Sequence, residues 1–290
     1  MVTDHDIYFF DLRGYLHLEG ALTPAEVQEC NEGLDAIPPL VDQEWHGYVQ
    51  AHNFGDHDGT NYQQIYEAGE AFEELIDHPA WFDKVRYFVG SEDSFDEQHG
   101  PLLIDEAFAN VRTAGQSIGV HNGGHLGISR CQFRYHAGRF HCNQINVLVA
   151  LTDIGPGDGG TVLIPGSHKS NFEHPSFQRF CMGDVRPDAA LIEGAVEVHM
   201  RAGDALLFVD CCTHGSARRR NGGQRRVVIY RYGPSWGRLR HAYEPSPELL
   251  ARLTPHRRSI VAPASDRRLA PDSQPAAQNQ PVAQGQEVAS

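Results

Sequence analysis

From about residue 102 the chain becomes a succession of short runs, β-branched or aromatic, separated by Gly, Pro and Asp. "LLIDEAFANVR", "CQFRYHAG", "FHCNQINVLVALTD", "GTVLIPGS", "AVEVHMRAGDALLFVD" and "RRVVIYRYG" follow one another in this way. Runs of this length and composition are strands, and the residues between them are turn formers. Val196, Val198 and Met200 alternate as one face of a strand does, and "RAGD" supplies a turn. So many short strands can bury their apolar faces only by closing on themselves or by stacking as two sheets. There is no internal repeat.

The first hundred residues read differently. "LTPAEVQECNEGLDAI" is a helix: Thr23 caps it, Pro24 suits the first turn, and Glu26 completes a capping box. Val27, Cys30 and Leu34 then share one face. "FEELIDHPAWFDKVRYFVG" gives one or two further helices, broken at Pro79. Residues 40–66 are polar and mixed, as expected of a long loop or lid. The expected architecture is mostly β with flanking α-helices. One domain spans 1–260, with a helical layer over about 1–100 and a barrel over about 101–240. Residues 261–290 are rich in Pro, Ala, Gln and Ser and are expected to be disordered.

Composition narrows the function classes. A net charge of −14 argues against a nucleic-acid polymer as partner. No stretch approaches the roughly 18 apolar residues of a membrane span, and the opening "MVTDHDIYFFDLRGY" lacks the basic-then-apolar grammar of a signal peptide. The six cysteines form no CxxC pair and suit a reduced set, so a cytoplasmic location is expected. With 17 histidines in the chain, a lone histidine says little.

A metal site needs ligands that converge from distant parts of the chain, which facing strands allow. "FVDCCTHGSARRRNGGQRRVVIYRY" places His214 at a strand end and Arg225 and Arg226 on the next strand. A histidine on a metal with an arginine one hairpin later suits a co-substrate carboxylate bound to both. His121, in "IGVHNGGHLG", is the candidate second imidazole.

At these residues the chain resembles the phytanoyl-CoA dioxygenase family of iron(II)/2-oxoglutarate oxygenases. The resemblance is carried by "NVLVALTDIGPGDGGTVLIPGSHKSNF", "GDALLFVDCCTHGSARR" and "RRVVIYRYGPSW", and more weakly by "GYLHLEGALTPAEV". It implies a double-stranded β-helix core, of the jelly-roll or cupin-like kind, and a metal pattern of His-x-Asp, a distant His, and an Arg that grips 2-oxoglutarate. His121 and His214 match the histidines. Arg225 matches the arginine by spacing, with Arg226 as the register-shifted option; adjacent strand residues face opposite ways, so only one can point inward. The acid has no match, because position 123 is glycine. Elsewhere only His17-Leu-Glu19 has an acid two residues after a histidine. Those residues precede the barrel strands, and His125, His136 and His141 lack a suitable partner at that spacing.

Losing the carboxylate leaves an extra vacancy on iron and one negative charge fewer, which a halide ion satisfies. Within this fold, His-x-Gly resembles the iron/2-oxoglutarate halogenases. The expectation is therefore a halogenase that uses iron(II), 2-oxoglutarate, dioxygen and chloride on an aliphatic C–H of a small soluble metabolite. Such enzymes serve natural-product and antibiotic biosynthesis. A hydroxylase and a catalytically silent binding protein are the alternatives.

Further candidates are weighed beside ordinary roles. Thr161, Ser216 and Asn146 could hydrogen-bond 2-oxoglutarate, or simply satisfy one another in the barrel. Arg218, Arg219 and Lys169 could meet a phosphate-bearing substrate such as a nucleotide, though a solvated hairpin is the plainer reading. Phe133, Tyr135 and Phe172 could stack on a planar group, but core packing is commoner. Cys211 and Cys212 are expected in the core, and His168 is expected to be structural.

Overall fold

The computed structural model describes residues 1–53, 59–90, 100–113, 115–123, 132–181, 187–237 and 243–262. The chain opens with helix α1 (Asp4–Arg13), strand β1 (Tyr15–Leu18) and helix α2 (Pro24–Asp35). Strands β2 (Trp45–His46), β3 (Val49–His52) and β4 (Thr60–Gln63) precede helices α3 (Glu70–Glu73) and α4 (Phe82–Val89). Next come β5 (Leu102–Arg112), β6 (Ile118–His121), β7 (Tyr135–His136), β8 (Arg139–Phe140), β9 (Ile145–Ala150) and β10 (Thr161–Leu163). After α5 (Phe177–Phe180) follow β11 (Val196–Val198), β12 (Ala205–Val209), β13 (His214–Ser216) and β14 (Arg225–Pro234). Helices α6 (Pro247–Arg252) and α7 (Pro255–Val261) complete the described chain.

Two antiparallel sheets carry the fold. The larger runs β1-β12-β9-β14-β5-β4-β3-β2, the smaller β11-β10-β13-β6, and β7 and β8 form a separate hairpin. The sheets meet where Phe208 of the larger packs edge-on against His214 of the smaller, ring centroids 4.9 Å apart. This is the mostly β, jelly-roll type of core expected, with helices against its larger sheet.

Alternation along β14 sorts the two faces of that sheet. Val228, Tyr230 and Tyr232 join Phe72, Leu75, Ile76, Trp81 and Phe88 in one apolar core. Burying two tyrosines demands partners for their hydroxyls, and the helical layer supplies them. Tyr230 donates to the Phe72 carbonyl at 2.6 Å, and Tyr232 to that of Ile76 at 3.0 Å. The other face carries Arg225 and Arg231 and, on the neighbouring β5, Glu106 and Asn110. That polar interior is the site's floor.

The α2 capping box forms as expected, with Thr23 Oγ1 accepting from the Glu26 amide and the Glu26 carboxylate accepting from the Thr23 amide. The helical layer does break around Pro79, between the turn ending at Asp77 and α4. Residues 40–66 depart from the expected loop. Their polar residues hide the strands β2, β3 and β4, which extend the larger sheet. Asn61 sits buried because Asn110 donates to its Oδ1 at 3.0 Å, so a polar pair stands where apolar alternation would have signalled a strand. Val261 is buried in the last turn of α7, so ordered chain reaches past the expected tail boundary; residues 263–290 lie outside the described residues. Cys30, Cys142, Cys211 and Cys212 are buried free thiols. Burial pushes Cys30 and Cys212 up to about 12, which leaves them inert near neutral pH. Cys131 lies outside the described residues. Among the described residues no helix is long and apolar enough to cross a membrane.

Candidate metal centre

Strands β6 and β13 are neighbours, and their register sets His121 directly opposite His214. The ring centroids lie 4.2 Å apart at 55°. Each ring is held by a carbonyl two residues upstream: His121 Nδ1 is 2.9 Å from the Gly119 oxygen, and His214 Nδ1 is 2.7 Å from the Cys212 oxygen. A carbonyl can only accept, so both Nδ1 atoms carry the proton and Nε2 is in each ring the nitrogen with the lone pair that can ligate a metal. Burial, and then the neighbouring His214, hold His121 down to about 3, so it is neutral and ready to ligate at ordinary pH.

Gly123 follows two residues after His121 and is buried. Its amide donates to the Asp210 carbonyl at 3.2 Å. Asp210 directly follows β12 and stands four residues before His214; it is buried, and Asn146 Nδ2 donates to its Oδ1 at 3.0 Å. Its negative charge acts on His121 in the direction that favours the imidazolium. Sequence reasoning missed this acid because it sought one two residues after a histidine. The signal was an acid at the end of the strand leading into His214. Among the described residues no three His, Cys, Asp or Glu side chains already converge on one point.

One strand step from His214 lies Ser216, about 7 Å along the same face. Across the sheets from it, Arg112 and Arg225 are Cα partners on β5 and β14, and both are buried. Arg112 donates to Ser216 Oγ, to the Gln116 carbonyl and, at 3.2 Å, to the Ala217 carbonyl. Arg225 Nη1 donates to Asn110 Oδ1 at 3.3 Å, while its Nε is buried without a partner. Burial and then the charges of Arg112 and Arg219 lower Arg225 to about 9. Two guanidiniums buried together call for an anion. A five-carbon dicarboxylate that reached from the imidazoles would place its far carboxylate here, so the residues fit iron(II) with 2-oxoglutarate.

The phytanoyl-CoA dioxygenase (PhyH) family matches residues 10–227. The chain belongs to this family. The family assignment makes it an enzyme of the iron(II)/2-oxoglutarate oxygenase superfamily. Among solved structures it is similar to HygX from Streptomyces hygroscopicus with nickel and 2-oxoglutarate bound, at TM-score 0.68 and 23% identity over 86% of this chain and 94% of that one. HygX with nickel, 2-oxoglutarate and hygromycin B bound gives TM-score 0.67 at 24% identity, over 86% and 94% of the two chains. The epimerase SnoN from nogalamycin biosynthesis gives TM-score 0.55 at 19% identity, over 78% and 80%. Dioxygenase cdmD of Talaromyces verruculosus is 29% identical over 119 residues, a stretch that spans 41% of this chain and 35% of that relative.

Within this family member, Thr161 and Ser216 are buried partners across β10 and β13, beside the arginines. Ser216 Oγ donates to the Gly159 carbonyl at 3.0 Å. Asn146 belongs elsewhere than expected: its amide serves Asp210, at the imidazole end. Arg226 lies on the opposite face from Arg225 and reaches Asn31 and Asp35 of α2 at 3.2 and 2.7 Å, which takes it out of the site.

The expected anion contacts are largely spent. Arg219 is buried and paired with Asp158 at 2.9 Å, and Lys169 pairs with Asp11 at 2.9 Å. Arg218 differs: its backbone amide donates to Asp188 at 3.1 Å, but its side-chain Nε is buried without a partner, while Arg220 pairs with the same carboxylate at 3.2 Å. Phe133 packs against Phe10, Phe140 and His168, whereas Tyr135 and Phe172 are exposed. The rival histidines are occupied or remote. His17 bonds Asp204 at 3.0 Å rather than Glu19, and His136 is exposed on the β7–β8 hairpin. His125 lies outside the described residues. A cavity of about 980 Å³ is lined by Asn122 and Thr213, the chain neighbours of the two histidines, and by Gln132, Phe133, Arg134 and His174; His121 and His214 themselves do not line it.

Proposed function

We propose that this enzyme uses iron(II) and 2-oxoglutarate to oxidise an aliphatic C–H bond of a small, hydroxyl-rich metabolite. One juxtaposition carries the reading: two imidazoles set opposite one another and each held through Nδ1, with Ser216, two residues on from His214, bonded to Arg112 beside Arg225, whose buried Nε lacks a partner. His121 and His214 would hold the metal. Arg225 would pair with the distal carboxylate of 2-oxoglutarate, and Ser216 and Thr161 would offer hydroxyls beside it. When bound, iron and 2-oxoglutarate supply the oxidising chemistry, with dioxygen consumed and succinate and carbon dioxide released. The Phe208 ring against His214 keeps that side of the metal dry. Keeping both imidazoles and the arginine at working spacing counts against a silent binding protein.

The cavity supports the substrate class. Asn122, Gln132, Arg134 and His174 offer hydrogen bonds, with Phe133 as an apolar wall. HygX binds hygromycin B and SnoN binds nogalamycin RO, both small molecules. Of the residues expected to meet a phosphate, Arg219 and Lys169 pair with carboxylates, which leaves Arg218, whose Nε is buried without a partner.

Halogenation is the second reading, favoured by Gly123, which is buried and lends no side chain beside the metal. The buried Asp210 against that glycine favours oxygenation instead. Anaerobic addition of iron(II) and 2-oxoglutarate should produce a visible charge-transfer band, and its absence would overturn the oxygenase reading. Product masses with chloride or bromide present then separate the two: oxygen insertion alone excludes the halogenase.

A further inference from the structure

We propose that Asp210 supplies the carboxylate that position 123 lacks, making a two-histidine, one-carboxylate iron site from an acid in the turn after β12. The inference rests on the reading that His121 and His214 bind iron. Three observations of position point the same way. The Gly123 amide donates to the Asp210 carbonyl at 3.2 Å, so residue 210 is seated directly against the place where a side chain at 123 would begin. Strand parity aims it inward: the Phe208 ring lies on His214, and Asp210, two residues on, follows the same face. Its own amide donates to the Gln144 carbonyl at 3.0 Å, which continues the β12–β9 pairing and fixes that direction.

Its chemistry suits the role as well as its position. Asp210 is only 2% exposed, and its charge reaches His121. Burying a carboxylate is costly unless charge or hydrogen bonds compensate, and a dication beside it would do so directly. Asn146 orients one carboxylate oxygen at 3.0 Å, as an outer partner of a metal ligand does, and its own Oδ1 has no partner. To ligate a metal held by the imidazoles, the carboxylate would turn from Asn146 toward them. With Asp210 in place, three iron positions remain for 2-oxoglutarate and dioxygen, and none is reserved for a halide.

Cobalt(II) binding to the full chain, followed by calorimetry and by visible ligand-field absorption, tests this without any turnover. Asp210→Asn should weaken cobalt at least tenfold and alter the ligand-field bands, while His121→Ala should abolish binding. Adding Gly123→Asp to Asp210→Asn should restore affinity by returning the acid to the neighbouring position, which a merely structural role for Asp210 would not allow. Circular dichroism identifies any variant that fails to fold. If Asp210→Asn does not fold, failure of the folded double variant to bind cobalt overturns the proposal. Wild-type cobalt affinity and spectrum in a folded Asp210→Asn, with His121→Ala inert, overturn it while leaving the imidazole site intact. A wild-type protein that binds no cobalt overturns the iron reading and this inference together.

Discussion

Arg225 and Arg226 are adjacent on β14 yet serve opposite sides of the sheet. Arg225 is buried with its guanidinium 3.3 Å from Asn110, while Arg226 reaches 2.7 Å to Asp35 on α2. The pleat of a strand makes this unavoidable, and it divides the pair into a site residue and a fold residue.

Replacing Arg225 with Gln should therefore raise the 2-oxoglutarate dissociation constant by roughly 10- to 100-fold, the worth of a charge-assisted pair. Without co-substrate, the melting temperature should hold or rise, because the change relieves a buried charge beside Arg112. Arg226→Gln should leave 2-oxoglutarate affinity unchanged and cost about 1 kcal/mol, since its partner Asp35 is largely exposed while Arg226 itself is mostly covered. Titration calorimetry and thermal melts of both variants check the contrast; equal losses of affinity would refute the inward and outward assignment.

How far the sequence alone reached follows from where each signal resides. Strand runs such as "NVLVALTD" and the α2 cap are local patterns, and both formed as read. Motif spacing singled out His121, His214 and Arg225, and the fold sets the two histidines opposite one another and buries the arginine. Strands β2 to β4 were hidden because their stability comes from side-by-side contacts such as the Asn61–Asn110 pair, which no local alternation announces. Helix α1 was passed over although Thr3 and Asp6 form a capping box, because its apolar residues are spread around the helix with Phe10 alone fully buried. Asp210 was legible as an acid four residues before His214, but its relation to Gly123 was not. Its link to Gly123 joins two backbones 87 positions apart (210 − 123), a relationship only the folded chain contains.

Acid should destabilise the metal-free protein through its buried imidazoles. His121 is held down to about 3 and His168 to about 4, both chiefly by burial. An unfolded histidine titrates near 6.5, so between the folded and unfolded values the unfolded chain holds more protons and stability falls as pH drops. From pH 7 to 4.5, His121 alone should contribute a loss of roughly 2–3 kcal/mol. Asp158 and Asp204, both lowered in the fold, act in the same direction at still lower pH. Urea midpoints in chelator across that range measure the effect, and His121→Gln should flatten part of the slope. An unchanged midpoint down to pH 4.5 would contradict it.

Tyr230→Phe probes the contact between the sheet and the helical layer. The hydroxyl donates to the Phe72 carbonyl at 2.6 Å with no exposure to water. Removing it leaves a buried carbonyl without that donor, at a cost of about 1–3 kcal/mol. Denaturant unfolding should show the loss with little change in metal affinity, since Tyr230 lies on the face away from the imidazoles. A parallel fall in cobalt affinity would mean that the two faces are coupled.

Gly90 and Gly20 are both left-handed, with φ of +64° and +59°, and they separate backbone strain from steric exclusion. A Cβ on Gly20 meets nothing within 4 Å, so Gly20→Ala should cost only the left-handed penalty of about 1 kcal/mol. A Cβ on Gly90 would fall 1.6 Å from the Phe140 carbonyl oxygen and 2.8 Å from its carbon. That obstacle is backbone, with no rotamer to move aside. Relief would require α4 to withdraw from β8, where the Phe88 carbonyl accepts from the Cys142 amide at 3.1 Å and the Phe88 and Phe140 rings meet edge-on at 5.1 Å. Gly90→Ala should thus lose the same left-handed penalty plus roughly 1–3 kcal/mol or more of overpacking. Urea denaturation of the two variants side by side gives the difference. Equal losses would show that α4 yields freely against the β7–β8 hairpin, contrary to the packing described.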